Sequence, residues 1–229
     1  MSINQDFASA FYPFLNAPAA GSGAPLAALL ASARSSTLAK CAEVIALRAE
    51  VLAEHEADFE RAAQAMAERF ARSGKLIAFG NGGSATDADD AAADCTSPSG
   101  RGWRSLPALS LPADSATVTA IANDVGLENV FVRQLGALGE HDDIALGFST
   151  SGNSTNIVAA FAEARKRGML TVALTGYDGG AVARTGAVDF CFIARREFVP
   201  RIQEGHATIW HTLLELTQHA LAARGEHHA

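Results

Sequence analysis

The sequence predicts an α/β domain: a doubly wound, five-stranded parallel sheet in three layers, preceded by a helical extension. Three observations point to it. Five short apolar runs alternate with stretches of helical period over most of the chain. Glycine- and hydroxyl-rich turns follow several of these runs, where a buried strand would hand over to a helix. The segment ahead of the first run has helical spacing only.

In chain order, residues 1–25 hold Asn, Pro, Gly and Ser with scattered aromatics (FYPFL) and no sustained period, which predicts a loosely ordered arm. Residues 26–72 are expected to form one or two helices that serve in oligomerisation. From Leu38 to Ala71 the apolar side chains recur every three or four positions, among them Val44, Val51, Phe59, Met66 and Phe70. The domain proper is expected over 73–229. Its strands are KLIAF (75–79), SLPALSL (105–111), DDIALGFS (142–149), LTVALT (170–175) and VDFCFIA (188–194). Helical patterns fill 84–95, 114–122, 127–138, 153–167 and a short stretch at 179–185, and a last helix over 201–223 closes the chain.

Composition narrows the function. Of the 229 residues 19% are charged and the formal net charge is −7, so a nucleic-acid footprint is not expected. The densest basic cluster is the pair Arg195–Arg196. No apolar run reaches the roughly 20 residues of a membrane span, and the N-terminus lacks the pattern of a signal peptide. Cys41, Cys95 and Cys191 are widely spaced and odd in number, which reads as free thiols. A soluble, cytoplasmic protein is the expectation.

Ligands of doubly wound sheets bind beyond the carboxyl ends of the strands. Two loops there suit an anion. GNGGS (80–84) combines glycine freedom with a helix start, so its N–H groups can converge on a charge. STSGNS (149–154) offers four hydroxyls at another helix N-terminus, a receptor for the three oxygens of a phosphate. A third loop, TGYDGG (175–180), is a tight turn holding Asp178. Neither GxGxxG nor GxxxxGK[ST] occurs, which points to a phosphorylated small molecule and away from a nucleotide cofactor.

Asp87, Asp90 and Asp94 follow GNGGS on the predicted helix, with Asp90 and Asp94 as i, i+4 neighbours. Helix-dipole complementarity and solvation account for Asp87. They account less well for Asp94, near the C-terminal end, where a divalent cation would offset the repulsion. The last helix carries RIQEGHATIWH (201–211), with Gln203 and His206 one turn apart and His211 about 12 Å beyond Gln203. His211 lies in an apolar stretch and reads equally as a satisfied core histidine, a ligand or an acid/base group. His219, His227 and His228 read as packed or surface residues.

Taken in order, GNGGS, AND (122–124), STSGNS, TGYDGG and RIQEGH resemble the SIS (sugar isomerase) domain family, over roughly residues 38 to 222. The similarity is to its phosphoheptose (sedoheptulose 7-phosphate) isomerase branch, with replication-initiator-associating SIS proteins as near neighbours. The resemblance implies a flavodoxin-like, Rossmann-like three-layer fold in a homotetramer with active sites at subunit contacts. It implies substrate contacts at Asn81, Gly82, Gly83, Ser84, Asn123, Asp124, Ser149, Thr150, Ser151, Ser154 and Gln203. It implies a metal site at Asp90, Asp94, Gln203 and His211, where the family has His, Glu, Gln and His. Zinc is the family's metal; the harder donor set here brings in magnesium or manganese. The implied reaction is aldose–ketose isomerisation of a phosphorylated sugar through an enediol. Asp94 would be the base and His211 its partner acid. The alternative is a non-catalytic SIS adaptor that binds a protein such as a replication initiator.

Overall fold

The computed structural model describes residues 26–226, with side chains given to Arg224; the expected arm at 1–25 and His227 and His228 lie outside the described residues. Helix α1 is Leu26–Ala71, one continuous helix. It starts well before Leu38 because the Ala- and Leu-rich segment ahead of it favours helix. The Ser-Ser-Thr run inside it does not interrupt it: Thr37 donates its hydroxyl to the Ala33 carbonyl one turn back. The chain divides into two units after Ala42. Within the first, Leu26, Leu29, Leu30 and Leu38 are exposed.

In the second unit the remaining turns of α1 form one wall of the domain core through Leu47, Val51, Phe59, Met66 and Phe70. The elements that follow are β1 (Leu76–Gly80), α2 (Gly83–Thr96), β2 (Ala108–Ser110), α3 (Ser115–Val125), α4 (Val130–Leu138) and β3 (Ile144–Ser149). Then come α5 (Thr155–Lys166), β4 (Leu170–Gly176), α6 (Gly180–Arg184), β5 (Phe190–Ala194) and α7 (Val199–Glu226). The second strand is shorter than expected. Leu111–Ala113 turns into a 3-10 helix, with Pro112 near its start ending the ladder. A second 3-10 turn, Leu127–Asn129, takes the first residues of the expected 127–138 helix.

The five strands pair in the order β2-β1-β3-β4-β5, all parallel. Strand residues alternate between two cores. Leu76, Ala78, Ile144, Leu146, Phe148 and Phe192 meet α1, α2 and α7 on one face. Ile77, Phe79 and Ala145 meet Val130, Phe131, Leu135, Ile157 and Phe161 from α4 and α5 on the other. Covering a parallel sheet on two faces buries its strands along their whole length, as in β1, β3 and β4.

The N-terminal edge of the sheet is held by charge. Buried Asp143 accepts from the Lys75 and Glu140 backbone N–H groups and from the Lys75 ammonium. At the β5 edge, His55 of α1 accepts the Ile193 N–H through Nε2; an edge donor with no strand beyond it is thereby satisfied. The one basic pair noted in the sequence is neutralised by the same helix, Arg195 by Glu54 and Arg196 by Glu50.

Candidate active site

Strand order 2-1-3-4-5 has its switch point between β1 and β3, where crossovers leave in opposite directions and open a crevice. The register Gly80↔Phe148 places GNGGS beside STSGNS there. A reciprocal amide clasp joins the loops. Asn81 Nδ2 donates to Asn156 Oδ1 at 2.9 Å, and Asn156 Nδ2 donates to Asn81 Oδ1 at 2.8 Å. Asn156 is buried at the start of α5. No sequence motif links residues 75 positions apart, so its role is visible only in the fold. Asn81, expected as a substrate contact, has its side chain committed to this clasp, and the GNGGS backbone remains to face a ligand.

STSGNS is propped by the third loop. Ser149 is buried, with its hydroxyl 3.5 Å from that of Ser154; Thr150, Ser151 and Ser154 are partly exposed. Asn153 donates its backbone N–H to Ser151 Oγ and accepts the Ala181 N–H at 2.9 Å. Gly152 has φ 63°, and a Cβ there would lie 2.1 Å from the Gly179 carbonyl oxygen, so a side chain would push the two loops apart. Ser154 caps α5 without using its hydroxyl. The loop therefore keeps hydroxyls and a helix N-terminus for an anion. Asp178 faces its own turn instead: the Gly180 N–H holds its carboxyl below the usual carboxylate range, with help from Arg184.

Helices α2 and α7 lie side by side. At the loop end, Gln203 packs so closely on Gly83 that a Cβ there would meet its Nε2 at 2.2 Å. Next to it, burial pushes the Asp87 carboxyl up to about 6, with Gln203 opposing and the Asp90 charge adding to the rise. Asp87 Oδ2 is buried without a hydrogen-bond partner. At the far end, Trp210 Nε1 donates to Asp94 Oδ2 at 3.0 Å, and His211 Nε2 lies 3.5 Å from the same oxygen. Asp94, His211, Ser99, Trp103, Leu214 and Glu215 line a cavity of about 250 Å³. His211 is thus no core histidine; its side chain is 67% exposed. The core histidine is His206, fully buried against Phe148, with neither ring nitrogen bonded and its proton affinity lowered to about 4 by burial.

Asn123 and Asp124 are exposed near the end of α3, where Asn123 donates to Asp124. Burial pushes the Cys95 thiol up to about 12 and raises Cys191 as well, which keeps both protonated and poor nucleophiles.

A model of the SIS domain matches residues 41–176, more than half of the chain. The chain belongs to the SIS domain family. Among curated SIS relatives, the phosphoheptose isomerase of Sulfurimonas denitrificans is 44% identical over 151 residues, 66% of this chain and 76% of that protein. The phosphoheptose isomerase of Solidesulfovibrio magneticus is 41% identical over 179 residues, 78% and 86% of the two chains. A solved phosphoheptose isomerase from Neisseria gonorrhoeae superposes with a TM-score of 0.73 at 35% identity, covering 80% of this chain and 96% of its own. One from Francisella tularensis gives 0.71 at 31%, covering 81% and 97%. This SIS chain falls on the phosphoheptose isomerase branch, and its five-stranded parallel α/β fold is that of the branch.

The metal set expected of this SIS branch is not assembled by these side chains. Among the described residues no group of three or more His, Cys, Asp or Glu is placed to hold a metal ion. Asp94 and His211 meet, but Asp94 Oδ2 already accepts an indole N–H and Gln203 lies against Gly83. Asp90 is exposed. Successive residues turn by about 100°, so Asp94, seven positions after Asp87, returns nearly to its azimuth. Asp90, one turn before Asp94 and about 40° from its azimuth, shares that flank but is exposed. The donors as arranged do not fit a cation.

Proposed function

We propose that this SIS protein is an aldose–ketose isomerase of a phosphorylated sugar that converts sedoheptulose 7-phosphate to a heptose 7-phosphate. The observation that carries the reading is the Asp94–His211 pair: a carboxylate and an imidazole 3.5 Å apart on the wall of a cavity. Isomerisation needs one group to take a proton from one carbon and return it to the neighbour, and a second to move protons among the oxygens. Asp94 takes and returns the carbon-bound proton, giving an enediol. His211 serves the oxygens.

The phosphate lies on the hydroxyls of Ser149, Thr150, Ser151 and Ser154 and on the start of α5. The backbone of Gly82, Gly83 and Ser84 lines the same crevice. Gln203, Asn123 and Asp124 meet the sugar. Asp94 lies eleven residues beyond Gly83, about 16 Å of helix rise, so a long, extended substrate suits the span better than a triose. No step is assigned to a metal.

The assembly we infer is a cytoplasmic homotetramer. Ile45 and Leu52, one heptad apart on α1, are 67% and 53% exposed, which supports contact between copies. Supporting the cytoplasm, the three cysteines are free. No described helix is long and apolar enough to cross a membrane.

The test is NMR of sedoheptulose 7-phosphate incubated with the purified protein. Turnover is expected, falling about 10²- to 10⁴-fold in Asp94→Ala and in His211→Ala with the circular dichroism spectrum unchanged. No turnover of any five- to seven-carbon ketose phosphate overturns the isomerase reading. A protein partner retained by the double variant would favour the adaptor alternative.

A further inference from the structure

Resting on that reading, the question is what holds Asp94. Its side chain is 35% exposed, on the flank of α2, where an aspartate is free to turn to solvent. Among the described residues it receives one hydrogen bond, from the Trp210 indole, and all of it falls on Oδ2. Trp210 is 2% exposed and packed in the same core as Ile209, Leu213 and Leu214. Its ring is therefore fixed by the interior, and the N–H emerges where the core meets the cavity. A buried indole N–H needs an acceptor, and the only carboxylate given to it is the one that faces His211.

We propose that Trp210 is a positioning residue for the isomerisation: its N–H pins Oδ2 of Asp94 and so presents Oδ1 to the substrate proton. Indole is a donor only, so Trp210 neither takes nor supplies the proton that moves. It restricts the carboxylate to one rotamer and keeps Oδ2 within reach of His211, so base and partner arrive in a fixed relation. A shift of about 1 Å in such a group costs about a hundredfold in rate, which sets the size of the effect expected. The lining of the cavity places Trp103 close by, but no hydrogen bond joins its indole to Asp94, so the two tryptophans are separable.

Two measurements test this. In Trp210→Phe the aromatic bulk stays and the donor goes; kcat is expected to fall about ten- to a hundredfold with KM nearly unchanged. In ¹H–¹⁵N spectra of the full-length protein, the Trp210 indole resonance, assigned with Trp103→Phe, is expected to move in Asp94→Ala while that of Trp103 stays. Wild-type kcat in Trp210→Phe, with Asp94→Ala inactive, overturns the positioning role and leaves the isomerase reading standing. Full turnover in Asp94→Ala overturns that reading, and this inference with it. If Trp210→Phe does not fold, the spectrum decides: an indole resonance indifferent to Asp94→Ala overturns the pin.

Discussion

His206 and Asp87 are two titratable side chains that the fold takes out of water, and they respond to pH in opposite directions. Burial lowers His206 from 6.5 to about 4, so between these values the unfolded chain binds a proton that the folded chain refuses. Stability is then lost as pH falls through that window, by about 3 kcal/mol at most. Asp87 is raised from 3.8 to about 6, so there the folded chain holds the proton more tightly, and stability is lost as pH rises from about 4 to 6. The two oppose each other over most of the same range. Urea midpoints measured from pH 4 to 7 are therefore expected to vary little for these groups in the natural chain and to fall on acidification in Asp87→Asn. An Asp87→Asn profile parallel to that of the natural chain would mean that Asp87 does not hold its proton more tightly in the folded chain. At this scale the sequence was partly legible. It singled out Asp94 and His211, which the structure brings together, but Trp210 read only as part of an apolar stretch. An indole N–H becomes informative once its acceptor is known.

Between elements, the clasp of Asn81 and Asn156 holds the β1 loop to the start of α5, so the GNGGS and STSGNS loops are placed relative to one another. Replacing Asn156 by alanine removes both amide bonds of the clasp; because Asn81 is exposed and can turn to water, the cost is that of hydrogen bonds lost, about 1 kcal/mol. Thermal unfolding should show that loss. Substrate KM should rise as the loops drift, with kcat less affected because α2 and α7 still carry Asp94 and His211. A KM equal to that of the natural chain would separate the clasp from the site. The periodicities found every strand and nearly every helix. They erred at boundaries, as at Pro112, where the second strand ends early. The spacing of Asp87, Asp90 and Asp94 named a helix without naming its buried side. That side is set by Ala88, Ala91 and Cys95, whose small side chains admit close packing, and it turns Asp90 outward.

For the whole molecule, α1 carries two surfaces. Its Leu47, Val51, Phe59 and Met66 are interior, while Ile45 and Leu52 are exposed. The proposed tetramer would bury the second set. Sedimentation is expected to give a tetramer, and Ile45→Glu with Leu52→Glu to lower the assembly, since two buried charges without partners are unfavourable. A tetramer unchanged by the double substitution would place the contact elsewhere.

The sequence by itself determined the layer order, the two loops, and the facing helices that carry the acid/base candidates. Those features follow from local period, from glycine and hydroxyl chemistry at strand ends, and from motif order, all of which survive in one dimension. Only the tertiary structure decided which donors meet. Gln203 was drawn to Gly83, Asn81 to an asparagine 75 residues away, and Asp94 to a tryptophan that the sequence had placed in the core. The reason is that a helix fixes the azimuth of a side chain but not its partner. The partner is set by how closely α2 and α7 pack, a distance determined by the small residues between them and by the sheet beneath.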